Sequence, residues 1–222
     1  MIKKMKILAI DTSTEACCVM AINGHNISTL IEKQPRKHNE VILDLITNVL
    51  DNVNMHKSEI EFFAIGIGPG SFVGIRMGVA LIKALSIVLE KPIITFSSMM
   101  ALAASANKIT GHKNIQPILN ARMGDLYTAA YSFDQTNCLT TQKDIVIKIV
   151  GITIQPNHLL VGEGISLIQH SSEVFPDTCY INLEDMSGFI LQKALNENTV
   201  NALNLEPIYL RGDNLWKKIA DK

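Results

Sequence analysis

Phe62-Phe63-Ala64-Ile65-Gly66-Ile67-Gly68-Pro69-Gly70-Ser71-Phe72-Val73-Gly74-Ile75-Arg76-Met77-Gly78 is the stretch that decides how this chain is read. An apolar run halts at Gly-Pro-Gly, and a serine opens a second apolar run with helical spacing, which predicts buried strand, tight turn, helix. Gly68 and Gly70 permit backbone angles that other residues resist, Pro69 fixes one angle, and Ser71 suits a helix cap. Such a turn aims backbone N–H groups at one point, where an anion or another chain could dock. No Gly-Lys-Ser/Thr follows, so this is not an ordinary phosphate-binding P-loop. A strand-to-helix turn that carries no ligand is the competing reading.

Working outward, Lys6-Ile7-Leu8-Ala9-Ile10-Asp11 predicts a central strand ending in an acid. After the polar turn Thr12–Ala16, Cys17 to Ile22 and Ile27 to Glu32 predict two more strands, joined at Asn23-Gly24, a strong hairpin signal. Pro35 to His38 breaks the chain, and a helix is predicted from Asn39 to about Asn54, with Val41, Ile42, Leu45, Ile46, Val49, Leu50 and Val53 in one wide apolar stripe. The helix after the glycine turn, Phe72 to about Glu90, is apolar almost all round. One sheet covers only one side of a helix, so a neighbouring helix or another subunit must cover the rest. Further expected elements are a strand at Pro92 to Phe96, a small-residue helix at Ser97 to Ala106, strands at Ile115 to Ala121, Tyr127 to Phe133, Ile145 to Ile154 and His158 to Val161, and helices at 165–173 and from Asp185 to about Asn196. A polar stretch at Asn107 to Asn114 marks an expected boundary between a first lobe, 1–106, and a smaller second lobe, 107–222. Whether 205–222 packs on the second lobe or returns to the first stays open.

The chain has 222 residues, 47% apolar and only 18% charged, with 20 basic against 21 acidic side chains. A protein that grips nucleic acid alone carries a basic stripe; here Lys3, Lys4 and Lys6 form only a short cluster. Cys17, Cys18, Cys138 and Cys179 form no C-x-x-C pair, as expected of reduced cysteines in a cytoplasmic protein. No run approaches the ~20 apolar residues of a membrane span, so no membrane association is expected.

Asp11-Thr12-Ser13-Thr14 at a strand end could hold magnesium-bridged phosphates; a turn acid that organises the hairpin is the competing reading. His38 has Ile42 four residues on, so that helix offers one metal ligand where sites commonly pair two. His25, His56, His112, His158 and His170 show no ligand spacing. Gly70-Ser71-Phe72-Val73-Gly74 fails the Gly-x-Ser-x-Gly nucleophile pattern. In Asn120-Ala121-Arg122-Met123-Gly124-Asp125-Leu126-Tyr127 the Arg and Asp sit in a tight connection, as a ligand contact or as a hairpin corner closed by a surface ion pair.

Leu8 to Thr14, Gly68 to Gly78, Ala121 to Tyr127 and Pro207-Ile208-Tyr209-Leu210-Arg211 together resemble the TsaB (YeaZ) family of bacterial tRNA threonylcarbamoyladenosine biosynthesis proteins, across residues 6 to about 211. The resemblance implies the two-lobed α/β actin/hexokinase-like ATPase fold, built on a duplicated ribonuclease-H-like sheet. It implies a noncatalytic subunit that pairs with the catalytic subunit TsaD and the ATPase TsaE. That complex moves a threonylcarbamoyl group from its adenylate to adenosine 37 of tRNAs reading codons that begin with A. TsaD's metal site uses a His-x-x-x-His helix motif; here that place is His38 to Ile42, its second ligand lost. ATP and metal are thus expected on partner subunits, with no cofactor or metal on this chain, no catalytic residue, and tRNA met only through the complex. The older glycoprotease-like label of the superfamily finds no peptidase chemistry here. Val73 stands where the family usually has Thr and Asn120 where it usually has Asp, which weakens the case for a nucleotide on this chain.

The expected partner surface comprises Val41, Ile42, Leu45, Ile46 and Val49 on the first long helix and Met77, Leu81, Ile82 and Leu85 on the second, with a homodimer through the same surface when the partner is absent. A vestigial nucleotide or anion site is expected at Asp11, Ser13, Thr14, Gly68, Gly70 and Ser71. The alternative function is a small-molecule kinase or ATPase of the same fold.

Overall fold

The computed structural model describes residues 4–34, 37–134, 138–170, 172–175 and 179–210, with backbone alone at 138–141. Strands β1 (Lys6–Asp11), β2 (Cys17–Asn23) and β3 (Asn26–Glu32) open the chain, followed by α1 (His38–Asn52), β4 (Phe62–Gly66), α2 (Phe72–Leu89), β5 (Ile93–Phe96) and α3 (Ser98–Thr110). The second half holds β6 (Asn114–Arg122), β7 (Asp125–Phe133), β8 (Cys138–Lys148), β9 (Leu159–Val161) and α4 (Ser187–Leu195).

The first sheet runs β3-β2-β1-β4-β5 and the second β8-β7-β6-β9. In each, two antiparallel pairings precede a parallel one, β1 on β4 and β6 on β9. The second sheet therefore repeats the first, one strand short. β1 is buried on both faces: Ile7 and Ala9 turn toward α3, Leu8 and Ile10 toward α1 and α2. That explains its unbroken apolar run, since a strand covered on both sides has no wet face to mark with polar residues.

α3 lies between the sheets. Every residue from Ser98 to Ala106 is buried, and Met99, Met100, Leu102 and the alanines join Ile7, Met20 and Ile94 of the first sheet to Ile115, Leu119 and Tyr131 of the second in one core. Small side chains let both sheets approach a single helix closely. The all-round buried helix is thus α3, whereas α2 buries one side only: Ile75, Gly78, Val79, Ile82 and Ser86. Among the described residues α2 alone is long and apolar enough to cross a bilayer, contrary to the expectation that no segment is; in this fold its inner side is instead part of the core under α1.

Three other expectations are corrected. α3 continues past Ala106 to Thr110, where Gly111 at φ 74° caps it, because the polar last turn is still helical. β8 starts at Cys138 and stops at Lys148, short of Ile154, and a 3-10 turn follows at Ile149–Gly151. The expected helix at 165–173 is only a 3-10 segment, Glu163–Leu167. Beyond it the chain returns to the sheet edge: the Leu160 amide donates to the Glu173 carbonyl at 3.0 Å and the Phe175 amide to the Leu160 carbonyl at 2.8 Å. Backbone groups spent on a sheet edge cannot serve a helix ladder. The expected Pro35 break falls partly outside the described residues, as does the closing segment beyond Leu210. Its described part runs to the first sheet, where the Ile208 amide donates to the Ile67 carbonyl at 2.9 Å.

α2 ends at Glu90 in the left-handed conformation, φ 54°, ψ 42°. Glycine is the usual residue there, because a side chain costs ~1 kcal/mol in that region. Glu90→Gly is expected to raise the unfolding free energy by about 0.5 kcal/mol once the looser unfolded chain is allowed for. Urea denaturation measures it, and an unchanged or lower value would show that Glu90 contributes by its side chain.

Candidate functional site

The two motifs singled out in the sequence meet in one knot. Asp11 ends β1 and is 1% exposed. Its Oδ1 accepts from the Ser13 amide at 2.8 Å and the Ser13 hydroxyl at 2.6 Å, and its Oδ2 from the Ser98 hydroxyl at 2.7 Å. The Ser98 Oγ accepts in turn from the Gly68 amide at 3.2 Å, and the Ser98 amide donates to the Gly68 carbonyl at 2.9 Å. The Ser71 amide donates to the Ser13 carbonyl at 2.6 Å, and the Thr12 hydroxyl to the Gly74 carbonyl at 2.7 Å. Ser71 caps α2 by accepting from the Gly74 amide, as its place in the sequence predicts.

Close approach is what the glycines provide. A Cβ on Gly66 would lie 1.8 Å from Asp11 Oδ2, and one on Gly74 2.0 Å from the Thr12 carbonyl. Of the residues of the expected anion site, Asp11, Ser13, Gly68, Gly70 and Ser71 come together, and both carboxylate oxygens and the Ser13, Gly68 and Ser71 amides make hydrogen bonds within the chain itself. Thr14 stands apart, its hydroxyl 3.2 Å from the Ala16 carbonyl.

His38 starts α1 with Nε2 3.2 Å from the Thr14 carbonyl, and Ile42 is buried. Among the described residues no three His, Cys, Asp or Glu side chains are grouped to hold a metal ion. Cys17, Cys18 and Cys179 are free thiols, and burial pushes the pKa of Cys17 and Cys179 up to about 12, far from the thiolate form a nucleophile needs. At the β6–β7 corner Asn120 Oδ1 accepts from the Arg122 amide at 2.8 Å, and Asp125 pairs with Lys148 at 2.7 Å.

Two features were not legible in the sequence. One is a cavity of about 290 Å³ between the halves of the chain, lined by Ser97, Met100, Tyr131, Lys143, Asp144, Ile208 and Leu210. Asp144 there accepts from the Ser97 hydroxyl at 2.5 Å and the Tyr131 hydroxyl at 2.6 Å, and burial, outweighing those bonds, raises its pKa. Its strand, β8, begins in a polar run that reads as loop. The other is a clasp in which the Arg76 guanidinium stacks on the Phe72 ring, 3.4 Å from its centre, and donates to the Tyr209 hydroxyl at 3.0 Å, fastening the chain's closing segment to α2.

The outer side of α2 is open. Val73 is 75% exposed and Val88 78%, and Phe72 and Ile87 are also exposed. Val73, Met77, Ala80, Ala84 and Val88 recur at helical spacing on that side, with alanines in the middle. Of the expected partner residues, Val41, Leu45, Met77, Leu81 and Leu85 are half-buried. Ile42, Ile46, Val49 and Ile82 are corrected: they are 4%, 3%, 0% and 0% exposed, because they pack on the chain's own sheet. The missed residues Val73 and Val88 were legible in principle, lying opposite Ile75, Val79 and Ile82 on the helix wheel.

This architecture and these motifs have close relatives. TsaB of Escherichia coli, a tRNA threonylcarbamoyladenosine biosynthesis protein, is 30% identical over 98% of this chain and 100% of its own length. The chain belongs to the TsaB family. TsaB of Haemophilus influenzae is 27% identical over 99% of each chain. The family model of TsaD, tRNA N6-adenosine threonylcarbamoyltransferase, matches residues 27–187. YeaZ from Pseudomonas aeruginosa superposes with a TM-score of 0.85 at 22% identity, covering 93% of this chain and all of that one, which places this chain in the same two-lobed, actin-like ATPase type of fold. The TsaB relatives tie the chain to threonylcarbamoyladenosine biosynthesis.

Burial is the largest influence on Asp11 and raises its pKa above 3.8, against the lowering effect of the Ser13 and Ser98 hydrogen bonds. A raised carboxyl favours the fold in its neutral form, so its contribution is present below the unfolded pKa and is lost as pH rises through the folded one. Wild type is thus expected to lose stability relative to Asp11→Asn between pH 4 and pH 7. Urea midpoints of both proteins across that range provide the check; a constant gap would mean that the folded carboxylate stays ionised throughout.

Proposed function

We propose that this chain is the noncatalytic scaffold subunit of the cytoplasmic complex that forms threonylcarbamoyladenosine at tRNA position 37. It docks a TsaD-type transferase through α2, works with the ATPase TsaE, and meets tRNA only through them; ATP and metal belong to the partners. The observation that carries this reading is the open apolar side of α2, Val73 to Val88. An apolar stripe of that length rarely stays exposed to water. Its central alanines, Ala80 and Ala84, permit close approach of a partner helix, and its larger ends supply apolar area. Partners with two helices each can reach the about 1,600 Å² of a standard interface. A scaffold role is further supported at the place where TsaD carries paired histidines: here His38 is followed by a buried Ile42. Alone, the same side would bring two copies together around a twofold axis.

Val88→Asp leaves the inner side of α2 untouched and places a charge in the docking surface. It is expected to weaken association with the TsaD-type partner at least about tenfold, because an unpaired charge is costly to bury. The same change should turn a homodimer into monomer. Gel filtration of variant and wild type, with and without the transferase, reads both, and circular dichroism confirms the fold. Undiminished complex formation by a folded variant would overturn this docking surface.

A further inference from the structure

The cavity between the two halves lies at the carboxyl end of β5, where Ser97 opens α3. In open α/β sheets this is the side on which ligands collect. Its floor is Asp144, held by two neutral hydroxyls that orient the carboxylate without cancelling its charge. Among the described residues Asp144 has no ion-pair partner, although charges withdrawn from water are normally paired. Each carboxylate oxygen accepts one of these bonds and keeps a lone pair for another donor. Met100, Ile208 and Leu210 supply an apolar wall, and Lys143 stands at the exposed rim.

We propose that this cavity is a binding site for a small organic ammonium ion, whose charged head rests on Asp144 and whose apolar body lies along Met100, Ile208 and Leu210. The head supplies a countercharge that none of the described residues supplies. The apolar wall favours an organic body over a bare metal ion, which would need more oxygen ligands than one carboxylate and two hydroxyls. A volume of about 290 Å³ stands at the lower end of ligand pockets, so the guest is of metabolite size.

The test uses the full chain and n-butylammonium chloride as probe, followed by amide NMR. Saturable shifts at Ser97, Met100, Asp144 and Leu210 are expected, with half-saturation in the millimolar range, a typical affinity for so small a ligand, and binding at least about tenfold weaker for 1-butanol. Asp144→Asn should cut n-butylammonium affinity at least about tenfold, a change worth about 1.4 kcal/mol. Lys143→Gln, which removes a like charge at the rim, should leave it equal or tighter. If Asp144→Asn does not fold, Met100→Trp serves instead: it fills the cavity from the apolar wall and should abolish the shifts. The proposal is overturned if 1-butanol binds as well as n-butylammonium, if potassium chloride gives the same saturable shifts, if a folded Asp144→Asn or Met100→Trp binds undiminished, or if n-butylammonium gives no saturable shift.

Discussion

One buried carboxylate holds the front of this molecule together. Asp11 is at the end of the central strand and accepts from Ser13 in its own turn and from Ser98 at the start of α3. Through Ser98 it also reaches Gly68 in the glycine loop. Three segments far apart in sequence are thus fixed by a single side chain, in a place where unsatisfied polar groups would be expensive. The glycines follow from this: Gly66 makes room for the carboxylate, and Gly74 for the Thr12 carbonyl.

The two central helices divide the work by size of side chain. α3, built from Ser, Ala and Met, is thin enough to be enclosed by both sheets, and it makes one core of the two halves. α2, built from Val, Ile, Leu and Met, is too wide to be enclosed and lies on one face of the first sheet, leaving an apolar stripe outside. Apolar content alone would have ranked them the other way. What decides enclosure is how close two sheets can come to the helix axis, and small residues set that distance.

The open side of α2 and the rest of the molecule are mechanically joined at the closing segment. Tyr209 is clasped by Arg76 on α2, the Ile208 amide donates to the carbonyl of Ile67, just past β4, and Ile208 and Leu210 form a wall of the cavity that holds Asp144. In this member of a family named for threonylcarbamoyladenosine biosynthesis, one short strap thus touches both the exposed side of α2 and the open cavity at Asp144. Membership of the family rests on whole-chain relatives.

The sequence by itself determined the local elements of the first half. Apolar runs, the Asn23-Gly24 hairpin, the Ser71 cap and the glycine turn are signals written within a few residues of where they act, and β1 to α2 formed within a residue or two of expectation. Its motifs were also enough to identify the family. The second half was less legible because its signals are not local: β8 opens in a polar run, and the segment around Glu173 runs along the sheet edge only because Leu160 there donates to Glu173 and accepts from Phe175. Tertiary structure decided which side of α2 is spent inside. Ile82 and Val88 look alike in sequence, yet one is fully buried and the other mostly exposed, because burial depends on the angle at which a helix meets its sheet. For the same reason only folding could set Asp11 in a structural knot and leave Asp144 facing a cavity with no countercharge among the described residues.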